Sequence, residues 1–126
     1  RSAIGDYATP DTAAAGAGVT LEACGAGVSA ANDICQWGNL LRGAAETAAG
    51  GKNIGAMTDA QGCITVTAPA AGASGPTSAN VVVVWRGTVA SATNATAPCV
   101  PAGFDVADGF MRFTSSIVRL GDLDGL

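Results

Sequence analysis

Histidine is absent from the 126 residues, and lysine occurs only once, as Lys52. Without an imidazole, a Ser-His-Asp or Cys-His system has no base, and histidine-bearing metal sites have no ligand. A serine–lysine pair would have to use Lys52, which falls between Gly51 and Asn53 at an expected turn and reads as a solvated surface residue. The arginines are scattered, the net charge is −4 and the pI is near 4.3. No basic stripe is therefore available for nucleic-acid phosphates, and the charge gives no attraction to an anionic membrane. Long apolar runs are missing too. The longest, Val81 to Trp85, falls far short of the ~20 residues a spanning helix needs. Neither a Gly-x-Gly-x-x-Gly fingerprint nor a Walker loop is present, although glycines are plentiful.

Aromatics are equally scarce, limited to Tyr7, Trp37, Trp85, Phe104, Phe110 and Phe113. The positive mean hydropathy comes mostly from alanine, which buries little area. A core must come from those rings, eleven valines and a few leucines and isoleucines. Such a core is thin, and cross-links would help it. The length fits a single domain over residues 1–126. The chain opens at Arg1 rather than methionine, as expected of a processed or trimmed N-terminus with any anchor upstream.

Four cysteines are present, and their spacing lacks the paired Cys-x-x-Cys of structural zinc sites. Two disulfides formed in an oxidising compartment are expected. Three pairings are possible. Cys24–Cys35 with Cys63–Cys99 is the preferred one, because the first closes a short loop onto a helix and the second returns a long loop to a sheet. No metal or other cofactor is expected.

The remaining candidates for chemistry each have a plainer reading. Asp122-Leu-Asp124-Gly125 resembles part of a calcium loop but lacks the next alternate ligand and the closing glutamate, so a polar tail is expected. Asp105 and Asp108 could form an acid–base pair, yet with no partner base they read as loop charges. Asn94-Ala-Thr96 is a formal glycosylation sequon. Trp85-Arg86-Gly87 reads as a core tryptophan ending a strand, covered by its arginine through a cation–π contact, rather than as an exposed hot spot. No catalytic constellation emerges, and the chain is not expected to be an enzyme.

The residue pattern predicts a helix over 29–49. Ser29 caps it, Asp33 lies near its positive end, and Ile34, Trp37, Leu40, Leu41, Ala44, Ala45 and Ala48 form one apolar face ended by Gly50-Gly51. Asn53–Thr58 and Cys63–Ala68, around Asp59-Ala-Gln-Gly62, read as a hairpin. Asn80–Arg86 and Phe110–Leu120 read as further strands, joined by a long connection that carries Cys99. One short helix followed by about four antiparallel strands defines an α+β domain.

With these elements placed, the chain resembles the minor pilin family of type IV pilus modification proteins, PilV. Arg1-Ser-Ala-Ile-Gly-Asp-Tyr7 resembles the stretch just after that family's long N-terminal helix, and Asp33, Trp37 and Leu40-Leu41 resemble its tryptophan-bearing helix. Gly50-Gly51 leading to Cys63-Ile-Thr-Val66, Val83-Val-Trp85-Arg-Gly87 followed by Cys99, and Arg112 with Val118-Arg-Leu-Gly-Asp-Leu123 resemble its sheet and closing strand. The resemblance implies a pilin-like fold lacking the long N-terminal helix. It implies a structural subunit that takes part in priming and assembly of type IV pili and sits in the pilus tip complex. Its implied partners are other minor pilins, the major pilin and a tip adhesin. Its implied location is the inner membrane facing the periplasm, held there by the missing helix, and then the extracellular fibre. A pseudopilin of a type II secretion system and a secreted ligand-binding module are the alternatives. The ladle shape of such pilins predicts an apolar exposed sheet face drawn from Ile64, Val66, alternate residues of Val81–Trp85, and Phe113 or Ile117. An acidic surface is expected opposite.

Overall fold

A computed structural model of the chain describes residues 4–9, 15–16, 20–52, 54, 57–73, 75–91, 97–101 and 109–120. Helix α1 spans Ala30–Leu41. Its start is the expected one: Ser29 is extended and its Oγ accepts from the Asn32 N–H at 3.3 Å, satisfying one of the orphan donors of the first turn. Its end comes earlier than the predicted Ala49. Gly43 takes a positive φ of 88°, its N–H donates to Leu40 O at 3.0 Å, and the Ala44 N–H reaches Asn39 O at 3.0 Å. Those two bonds are a Schellman stop, and the glycine that makes it stands seven residues before the glycine pair. Gly50 and Gly51 serve a different turn, in which Ala48 N–H donates to Lys52 O at 2.8 Å. Ala44, Ala45 and Ala48 thus lie outside the helix, and Leu40 points to solvent at 55% exposure.

The sheet has three strands among the described residues, not four. They are β1 (Gln61–Thr67), β2 (Thr77–Arg86) and β3 (Met111–Leu120), antiparallel in the order β1-β2-β3. The expected first arm of the hairpin, 53–58, contributes no strand among its described residues. Instead a turn precedes β1, with the Ala60 N–H donating to Met57 O at 3.2 Å and Asp59 at φ 51°. The α+β class stands, with one helix and a smaller sheet.

Register fixes the faces, since side chains alternate along a strand. Cys63 pairs with Val82 and Val82 with Ser115, while Gln61, Val84 and Phe113 align beside them. On this face Cys63, Val82 and Val84 are buried under Ala97, Cys99 and Val100 of the β2–β3 connection, with Met111 and Phe113 at the margin. Pro101 is also fully buried. The Cys63–Cys99 bond joins the connection to β1, and Cys24–Cys35 joins the segment before α1 to the helix. No described cysteine is free. The core is as thin as the aromatic count implies, and one disulfide runs through it.

Candidate functional site

The opposite face carries Gly62, Ile64 and Val66 from β1, Ala79, Val81, Val83 and Trp85 from β2, and Arg112, Thr114, Ser116 and Val118 from β3. Helix α1 docks at its β1 corner. The Trp37 ring lies directly on Gly62, where an added Cβ would fall 2.3 Å from ring carbon Cη2. At the same crossing a Cβ on Gly38 would lie 2.9 Å from the Gly16 nitrogen, so the helix packs glycine-to-backbone against the N-terminal segment. Tyr7, in a short 3-10 turn over Ile4–Tyr7, donates to Asp33 Oδ2 at 2.5 Å and ties that turn to the first turn of α1. Together Tyr7, Asp33, Ile34, Trp37 and Ile64 line a shallow recess of about 180 Å3.

Beyond that corner the face is less covered. Ile64, Val66, Val81, Val83 and Trp85 are half-buried, and Val118 is 45% exposed. Ile64, Val66 and the odd residues of Val81–Trp85 share one apolar face as expected, but they are half-buried rather than exposed, and of that face's large apolar side chains Val118 alone is exposed among the described residues. Phe113 and Ile117 do not belong to it, because register sets them opposite Val84 and Asn80 on the disulfide-bearing side. There Phe113 packs on the core and Ile117 stands 64% exposed.

The strands themselves carry no carboxylate, and their charges are Arg86, Arg112 and Arg119. Asp11, Asp105, Asp108, Asp122 and Asp124 lie outside the described residues, so the expected acidic surface opposite falls largely outside them. The described carboxylates Asp6, Glu22, Asp33, Glu46 and Asp59 lie in α1, the 3-10 turn and the connections. The Trp85-Arg86-Gly87 group is arranged differently from expectation. Arg86 lies 5.8 Å from the Phe110 ring centroid, not over Trp85, and comes within 3.9 Å of Asp59. Trp85 is half-buried and paired with Arg112, whose side chain lies where a Cβ on Gly87 would come within 3.3 Å of its Cγ.

A second recess of about 290 Å3 lies between α1 and the N-terminal segment, lined by Glu22, Ile34, Cys35 and Arg42 among others. Arg42 fills its wall with a side chain only 5% exposed, bonded to Glu22 Oε1 at 2.5 Å and Asn39 Oδ1 at 3.2 Å. Neither recess brings a nucleophile and a base together. Among the described residues no three His, Cys, Asp or Glu side chains gather as metal ligands, and no helix is long and apolar enough to cross a membrane. Lys52 is exposed. Asn94-Ala-Thr96, Asp105, Asp108 and Asp122-Leu-Asp124-Gly125 lie outside the described residues. Sequence reasoning missed Gly62 and Gly38, although a glycine inside a strand pattern is itself a signal of close backbone approach. No family model, curated protein or solved structure matches the chain.

Proposed function

We propose that this chain is the globular domain of a minor pilin-type assembly subunit, of the kind that primes type IV pili and stays in the tip complex with other minor pilins. One observation carries the reading: an apolar strip of half-buried Val66, Val81 and Val83 with the exposed Val118, which α1 meets at its β1 corner. A strip of this kind suits a long apolar helix lying across β2 and β3, as the ladle shape of pilins requires. Such a helix would bury the apolar surface that these valines still expose, which burial favours. The two disulfides suit a periplasmic or extracellular setting. In this reading the domain transmits no chemistry; it presents a rigid surface, and its partners are other pilins and a tip adhesin.

The test begins with the residues upstream of Arg1 in the full-length protein. A glycine-terminated leader followed by an apolar helix of ~20 residues is expected. Co-purification from the periplasm with minor pilins as one bait and type II pseudopilins as another then separates the two assembly systems. An upstream sequence without such a helix, or capture by neither bait, overturns the proposal.

A further inference from the structure

The two edges of the sheet are unlike. The outer edge of β1 is closed by the N-terminal segment: Ala15 and Gly62 exchange both backbone bonds, at 3.0 and 2.8 Å, and Thr9 donates its N–H to Ile64 O at 3.0 Å while its Oγ1 accepts from the Ile64 N–H at 2.8 Å. Beyond β3, no backbone partner occurs among the described residues.

The groups this edge offers follow from the register. Gly87 N–H donates to Phe110 O at 2.8 Å, one step past the Arg86–Met111 pair. Bonded and non-bonded pairs alternate along an antiparallel ladder. Arg112, Thr114, Ser116 and Val118 therefore turn their backbone groups toward β2, and Met111, Phe113, Ser115, Ile117 and Arg119 turn theirs outward. The other side of the sheet gives the same phase. Gly62 and Ile64 bond outward to the N-terminal segment, so β1 meets β2 through Cys63 and Val82 and leaves Val81, Val83 and Trp85 for β3. Among the described residues no backbone partner meets the outward N–H and C=O groups of Phe113, Ser115, Ile117 and Arg119, groups that strongly favour a partner, whereas the Met111 carbonyl accepts from Arg112 Nη1.

Edges of this length are normally guarded by proline, lysine, a bulge or a covering loop. β3 contains neither proline nor lysine, and its ten residues pair one-to-one with β2 without a bulge. Arg112 does not guard it either. Its guanidinium is turned back to donate to the carbonyls of Gly109, Met111 and Val89 at 3.1, 2.8 and 2.6 Å. Thr114 to Arg119 are all exposed.

We propose that β3 pairs edge to edge with β3 of a second copy of this chain, antiparallel, so that two three-stranded sheets become one six-stranded sheet. The register that uses the whole strand sets Ser115 opposite Ser115 of the second copy. It places Phe113 against Ile117 and Met111 against Arg119 on one face, and Thr114 against Ser116 and Arg112 against Val118 on the other. Aromatic to β-branched and hydroxyl to hydroxyl are favourable cross-strand pairs, and no like charges stand opposite each other. Because the β1 edge is met at Gly62 and Ile64 by the N-terminal segment, β3 is the open edge among the described residues, and isologous pairing through it stops at two copies. The inference is independent of the pilin reading, since it uses the edge of the sheet and not its face.

The test is sedimentation of the 126-residue chain from micromolar to millimolar concentration. A concentration-dependent species of twice the single-chain mass is expected. Ser115→Pro removes an outward N–H while leaving the β2–β3 bonds in place, and it is expected to sediment as a monomer. Ile117→Lys alters no backbone group, sets a charge on the edge, and is expected to do the same with an unchanged circular dichroism spectrum. Ser115→Cys is expected to link two copies under mild oxidation, since opposed bonded residues lie about 5.5 Å apart at Cα, within disulfide reach; Thr114→Cys is expected not to. A monomer throughout the range, a dimer indifferent to both edge substitutions, or an assembly larger than two overturns the proposal.

Discussion

The indole of Trp37 rests on the bare backbone of Gly62, with ring carbon Cη2 only 2.3 Å from where a Cβ would sit. A tryptophan ring has few torsions with which to retreat, so even one methyl forces the helix off the sheet. Gly62→Ala is expected to destabilise the domain by about 1–3 kcal/mol, the usual cost of overpacking. Gly5→Ala serves as the control, because nothing lies within 4 Å of its added Cβ. Urea denaturation of both variants measures the difference; equal midpoints would mean that the helix does not pack on β1 in this way.

The two disulfides are expected to differ in weight. Cys63–Cys99 spans 36 residues and is buried in the core, at 1% and 9% exposure, whereas Cys24–Cys35 spans 11 and is half-buried. Loop-closure entropy assigns about 3–4 kcal/mol to the longer link and somewhat less to the shorter. Removing Cys63 and Cys99 also opens a hole beneath Val82 and Val84, which adds a cavity cost. Alkylation followed by mass spectrometry under graded reductant is expected to label Cys24 and Cys35 first. Denaturation of the paired Cys→Ala variants is expected to give the same order of importance.

Asn39 holds the segment before the helix more firmly than the neighbouring ion pair does. Its Oδ1 accepts from the Glu22 N–H and its Nδ2 donates to the Glu22 carbonyl, both at 2.8 Å, imitating a backbone ladder. The Glu22 carboxylate that meets Arg42 is 59% exposed, which screens its charge even though the Arg42 side chain is only 5% exposed. Glu22→Gln, which keeps an Oε1 acceptor for the guanidinium, is therefore expected to cost no more than about 1 kcal/mol. Asn39→Ala, which removes two exposed bonds whose Glu22 groups water can then satisfy, is expected to cost the net worth of those bonds, about 0.5–1.5 kcal/mol each. Thermal melts of the two variants compare them directly.

How much of this was legible in the sequence varies with the kind of signal. The Ser29 cap and the valine run of β2 are local patterns, and the helix start and the end of β2 at Arg86 fall where those patterns placed them, although β2 begins at Thr77 rather than Asn80. The helix end was misplaced because Ala44, Ala45 and Ala48 continue the helical period, and alanine carries too little apolar area to resist the Gly43 stop. The 53–58 arm lacks alternating large apolar residues, so little favours a strand there. Register is non-local. Phe113 and Ile117 could not be assigned to a face before the Val84–Phe113 and Asn80–Ile117 pairs were known.

Val118 and Ile117 are sequence neighbours on opposite faces of β3, which lets one strand separate two modes of association. Val118 is 45% exposed, beside Ala79 and Val66 on the face assigned to a docked helix. An exposed position of this kind costs the isolated domain little on substitution, within about 0.5 kcal/mol. A helix seated on it would bury the side chain and lose about 1.5–3 kcal/mol if a charge replaced it. Val118→Asp is therefore expected to leave the melting temperature of residues 1–126 unchanged while exposing the full-length subunit to proteolysis and excluding it from pili. The same variant sets a carboxylate opposite Arg112 of a second copy, so edge pairing is expected to persist in sedimentation. Ile117→Lys should behave in the reverse manner, abolishing edge pairing while the full-length chain keeps its protease resistance. Loss of both properties in either variant would mean that face and edge are not separate surfaces.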